Sequence, residues 1–130
     1  MVFRVNHEAA HRWFGASGRS NWATCPITEN GVVRVMSNPA YPTVSATPVE
    51  VLGRLRVVCE QPDHSFWPDD VSLLSALPES MLASFQGHQQ VTDYYLVSLA
   101  AAHRGKLATF DGSLARAIGS AASSIELLRE

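Results

Sequence analysis

The stretch that decides the fold is VTDYYLVSLAAAHRGKLATFDGSL, residues 91–114. Residues 92–103 are apolar and alanine-rich, with no Gly or Pro to interrupt them, and read as a helix. Gly105 allows a reversal, and 106–110 is a short apolar strand. One acid, Asp93, opens the helix, and another, Asp111, follows the strand. In a crossover between parallel strands the helix runs back against them, so its N-terminus lies at their C-terminal edge. A helix of about 12 residues travels about 18 Å from that edge, and the strand returns about 17 Å. The spacing therefore predicts that Asp93 and Asp111 finish at the same end of a sheet.

Outward from this unit the chain alternates short strands with helices. Residues 7–17 read as a helix with Ala10, Trp13 and Phe14 on one side. A strand is expected at 21–25, then a helix opened by Pro26 and ending near Asn38-Pro39, with Ile27, Val32, Val35 and Met36 on its apolar side. Thr47 and Glu50 form a capping box for a helix whose apolar face carries Val51, Leu52, Leu55, Val58 and Cys59. A strand is expected at 64–68. Asp69 and Asp70 read as the cap of a helix through about Leu77, and a second short helix covers about 79–86. A short helix at 112–118 and a strand at 124–128 finish the chain. The pattern predicts an α/β fold, with helices around a mostly parallel sheet, in a single domain over 1–130.

Glu29 obeys the same geometry as the two aspartates. It lies in the first turn of the helix that follows strand 21–25. Three carboxylates are thus expected at the edge where open α/β sheets place their ligands. Three close carboxylates repel one another unless protons or a cation neutralise them. Oxygen-only ligands favour a hard cation, Mg²⁺ or Mn²⁺, and such a site suits metal-assisted phosphodiester cleavage. Thr92 and Ser113 are hydroxyls placed to orient water or a carboxylate.

Composition bounds the alternatives. Apolar residues make up 46% and charged residues 17%, which excludes a disordered chain. There is no run of 18 apolar residues and no signal-peptide pattern at the N-terminus, so a cytoplasmic protein without a membrane span is expected. The net charge of −2 gives no broad basic surface, so any contact with nucleic acid must be local. Cys25 and Cys59 have no CxxC partner and read as small buried hydrophobes.

CPITENGVVRVMSNP (25–39) and VTDYYLVSLAAAHRGKLATFDGSLARAI (91–118) together resemble the PIN-domain ribonucleases, specifically VapC-like toxins of bacterial toxin–antitoxin pairs. The resemblance runs from His7 to the end of the chain. It implies a three-layer α/β/α fold, a Mg²⁺ or Mn²⁺ site, endoribonuclease activity, an antitoxin partner and a homodimer. The family's metal-site and catalytic acids carry over to Glu29, Asp93 and Asp111, and Thr92 matches a hydroxyl that often precedes the helix acid. One departure stands out. The family's first strand is of the type LLDVN, and its aspartate sits at the centre of the metal site, whereas here no aspartate occurs before Asp63. The expectation is an N-terminally truncated PIN-like domain with its first strand missing, residues 2–5 serving as an edge remnant. Its activity in this form is left open.

Two other readings compete. A chain without the first aspartate can still serve as a catalytically dead antitoxin-binding module. HEAAH (7–11) matches H-E-x-x-H, in which His7 and His11 would ligate zinc and Glu8 act as base. A zinc peptidase needs a third ligand, and His64, His88 and His103 lie in no downstream motif.

Overall fold

The computed structural model describes residues 2–3, 22–40, 46–77, 79–109, 112–118 and 125–127. The expected helix at 7–17, which carries His7, Glu8 and His11, lies outside them. In chain order the elements are β1 (Val2–Phe3), β2 (Trp22–Thr24), α1 (Pro26–Met36), α2 (Pro48–Cys59), β3 (His64–Phe66), α3 (Leu73–Ala76), α4 (Glu79–Leu82), a 3₁₀ turn (His88–Gln90), α5 (Val91–Ala102), β4 (Leu107–Thr109), α6 (Gly112–Ile118) and β5 (Ile125–Leu127). Every described strand pair is parallel, as the α/β reading expects. The chain divides into two compact units, Val5–Pro68 and Met1–Arg4 with Asp69–Glu130.

In the Val5–Pro68 unit, β2 pairs with β3 in a register that sets Trp22 beside His64 and Thr24 beside Phe66. The ladder continues past both ends, through Trp22 N–H to the Asp63 carbonyl and Trp67 N–H to the Thr24 carbonyl. Parallel neighbours need a long crossover, which α1 and α2 supply, packed against each other. Pro26 sits in the first turn of α1, where its missing N–H is not needed. The Thr28 hydroxyl ties that turn down by accepting from Cys25 N–H and donating to the Cys25 carbonyl. The buried stripe of α1 is Thr28, Gly31, Val32 and Met36. Val32 and Met36 are buried as expected, whereas Ile27 is 41% exposed and Val35 half-buried, their places in the stripe taken by Thr28 and Gly31. A hydroxyl bonded within its own turn can be buried at little cost. Thr47 and Glu50 cap α2 reciprocally, as expected, and Val51 and Leu55 fill its buried stripe.

In the second unit the strands run β1–β4–β5, with Val2 opposite Leu107 and Leu107 opposite Ile125. Val2–Phe3, inside the remnant expected at 2–5, pairs with β4 over two residues. Helix α5 packs on β4 and α6 on β5. Residues 93–100 of α5 are all buried, the mark of a core helix rather than a surface one.

The chain leaves α5 through a Schellman closure. Gly105 N–H bonds the Ala100 carbonyl, Arg104 N–H bonds that of Ala101, and Arg104 holds φ 57°. The left-handed residue is thus Arg104, one position before the glycine expected to make the reversal. Asp69 and Asp70 do not cap a helix either. The N-cap of α3 is Ser72, whose hydroxyl accepts from Leu74 N–H. Asp69 instead accepts from the Tyr95 hydroxyl at 2.9 Å, and Asp70 lies 3.1 Å from His103 Nε2. Both acids are tied to α5 through side chains that local sequence could not link to them. The helix expected over 79–86 is confined to Glu79–Leu82.

Candidate active-site carboxylates and their surroundings

In the Val5–Pro68 unit the site grows from Thr24 at the end of β2. Side chains alternate along a strand, so Trp22 and Thr24 share a face. The register places His64 opposite Trp22, and the two rings lie 4.5 Å apart at a tilt of 57°. From there the imidazole reaches Thr24, with Nε2 2.8 Å from Oγ1. The same hydroxyl donates to Glu29 Oε2 at 2.6 Å. Glu29 lies in the first turn of α1, where the helix dipole favours a negative charge.

The environment of this cluster shifts two neighbours. Burial holds the His64 imidazole below its ordinary range, against the upward pull of Glu29, a backbone hydrogen bond to Cys59 and the charge of Asp63. Burial likewise pushes the Cys59 thiol up; Glu29 adds to this and a hydrogen bond with Thr24 offsets part of it. Both cysteines are free thiols. Cys25 is fully buried as expected, and Cys59 is half-buried beside this cluster. An open groove between α1 and α2 is lined by Glu29, Arg34, Leu52, Arg56 and Cys59, among others.

In the second unit Asp93 stands in the first turn of α5 and is 7% exposed. Its neighbours anchor the helix: the Tyr94 hydroxyl lies 2.6 Å from the Ser84 hydroxyl, and Tyr94 stacks on Phe85. Thr92 is exposed. Ser113 falls within α6. Asp111 lies outside the described residues. Glu29 and Asp93 thus each occupy the helix position that the sequence indicated. Among the described residues no group of three or more His, Cys, Asp or Glu side chains forms a metal cluster. Carboxylate oxygens in helix first turns are nonetheless the donor chemistry that a hard divalent cation takes. Reading the sequence missed Thr24 and His64 as members of the Glu29 network. The available signal was polar residues in two apolar strands, but pairing them requires the register.

Helices whose first turns carry acids beside parallel strands define the class as an α/β fold of the PIN type. Comparison with known proteins makes this particular. The chain is 43% identical over 111 residues to ribonuclease VapC39 of Mycobacterium tuberculosis, covering 85% of this chain and 79% of that one. It is 40% identical over 116 residues to ribonuclease VapC44 (85% and 77%) and 37% over 118 residues to ribonuclease VapC29 (91% and 81%), both from the same organism. The chain belongs to the VapC family of PIN-domain ribonucleases. No family model matches it.

Proposed function

We propose that this chain is the toxin of a toxin–antitoxin pair, an endoribonuclease that hydrolyses RNA phosphodiester bonds with Mg²⁺ or Mn²⁺. The observation that carries this reading is the 43% identity to a ribonuclease over 85% of the chain. Glu29, Asp93 and Asp111 serve as its catalytic and metal-binding acids, with Thr92 and Ser113 in support. When bound, such a cation activates water and holds a phosphate oxygen. The protein's own part is to present charged oxygens on rigid first turns. Arg34 and Arg56, both exposed, line the groove that Glu29 also lines. They give RNA phosphates a local cationic contact on a chain of net charge −2. The partners are RNA, a cognate antitoxin and a second copy of the chain, all in the cytoplasm. No helix among the described residues is long and apolar enough to cross a membrane.

The test is cleavage of a labelled RNA by the purified chain in Mn²⁺. Cleavage is expected, is stopped by EDTA, and falls at least about a hundredfold in Asp93→Asn, in line with the loss of a metal ligand. Cleavage that persists equally in Asp93→Asn refutes the assignment.

A second reading is an antitoxin-binding module without catalysis. Antitoxin captured in a pull-down by a chain that leaves RNA intact at every Mn²⁺ concentration selects that reading.

A further inference from the structure

β2 and β3 end at the edge where open parallel sheets place their ligands, the carboxyl ends of the strands. Their last residues are Thr24 and Phe66, and the register sets these two opposite each other. Trp22, Thr24, His64 and Phe66 share one face of the pair, since alternate residues of a strand point the same way and His64 meets both Trp22 and Thr24. On that face Thr24 is bonded to Glu29. Neighbouring strands lie about 4.8 Å apart, so Phe66 stands one strand away from the Glu29 network. Just beyond it, Trp67 N–H bonds the Thr24 carbonyl at 2.7 Å and holds the backbone of Phe66 in the ladder.

Phe66 is nonetheless 52% exposed. Among the described residues, the other exposed large hydrophobic side chains, such as Val49, Leu74 and Leu82, are aliphatic and lie on helices. Phe66 alone among them offers a flat ring on a strand, and no other described ring stacks on it. Every nucleobase has a face that can lie on such a ring. Glu29 joins the ring to a cationic groove, because it bonds Thr24 and also lines the groove that carries Arg34 and Arg56. A nucleotide chain has both needs at once, guanidinium groups for its phosphates and an apolar plane for a base.

We infer that Phe66 is a substrate-binding residue, a stacking platform for one unpaired base of the RNA whose phosphates follow the arginine groove past Glu29. The inference takes its RNA substrate from the proposed function. A base inside a duplex is already stacked on both sides, so the ring favours loops and free ends. Stacking of this kind is worth about five- to a hundredfold in affinity per base.

The test uses the complete 130-residue chain. Fluorescence anisotropy in EDTA at low salt reads its affinity for a labelled single-stranded RNA, and for the same sequence as a duplex, without cleavage. Phe66→Ala is expected to weaken the single strand about five- to a hundredfold and to leave the weaker duplex affinity unchanged. Phe66→Trp is expected to bind at least as tightly as the wild type. Phe66→Leu keeps the apolar bulk without the flat face and is expected to match Phe66→Ala. On a strand of equal length built without bases, the wild type and Phe66→Ala should bind alike. A Phe66→Ala or Phe66→Leu chain that binds the single strand as tightly as the wild type overturns the inference. An equal loss on the strand without bases also overturns it. So does a Phe66→Ala chain that keeps its RNA affinity while size-exclusion chromatography shows a dimer falling apart, which assigns the ring to an interface between copies. Cleavage in Mn²⁺ separates this from a failure of the proposed function. If the wild type cuts RNA and Phe66→Ala binds it equally well, only the platform falls. If the wild type binds the single strand through Phe66 and cuts nothing, the platform stands and the catalytic reading falls. A wild type that neither binds nor cuts single-stranded RNA ends both.

Discussion

At the scale of single residues, His64 carries a pH dependence whose sign can be worked out. Burial lowers its pKa from the ordinary 6.5. As pH falls through 6.5 the unfolded chain takes up a proton that the folded chain resists. The contribution of His64 to stability is therefore complete above that pH and declines below it, down to the lowered folded-state value. The ring is partly exposed, so solvent screening keeps the effect modest. Thermal melts at pH 7.5 and pH 5.5 should show a smaller loss in His64→Gln than in the wild type. An equal loss in both would mean that His64 titrates alike in the two states. Glu29 and Asp93 stand where sequence spacing placed them, because a first-turn position follows from local signals alone. Pro26 announces α1, and the apolar run announces α5. Thr24 and His64 were not legible as partners, because 40 residues separate them and only strand pairing joins them.

At the scale of elements, capping decides how well the helices are held. Thr47 accepts from Glu50 N–H, and the Glu50 carboxylate accepts from Thr47 N–H. Thr47→Ala should cost about 1 kcal/mol in urea denaturation, without changing the slope of the transition. The exit of α5 offers the opposite case. Arg104 occupies a left-handed position that L side chains disfavour by about 1–2 kcal/mol, although the Schellman bonds hold it there. Arg104→Gly is expected to raise stability by up to about 1 kcal/mol, measured by the same denaturation. No gain would show that Arg104 is held by contacts worth as much as the strain. The acids at 69 and 70 mark where element-level reading goes astray. An acid pair before a helical stretch looks like a cap, yet Ser72 caps α3 and the pair serves Tyr95 and His103.

At the scale of the whole molecule, metal binding should be linked to stability. A cation that binds only the folded chain stabilises it, by about 0.4 kcal/mol at a concentration equal to its dissociation constant and by more above it. Mn²⁺ is expected to raise the melting temperature, EDTA to reverse the rise, and Asp93→Asn to abolish it. A rise that persists in full in Asp93→Asn would contradict the assignment of Asp93 as a ligand. By itself the sequence determined the class of fold, the starts of α1, α2 and α5, the two described acid positions and the family. These depend on hydrophobic periodicity, capping chemistry and motif order, all of which act over a few residues. Tertiary structure alone decided that Val2–Phe3 lies beside β4, that Asp69 and Asp70 serve α5, and that one buried hydroxyl joins His64 to Glu29. Those facts depend on strand register and on side chains meeting across long stretches of chain, and no local signal encodes such meetings.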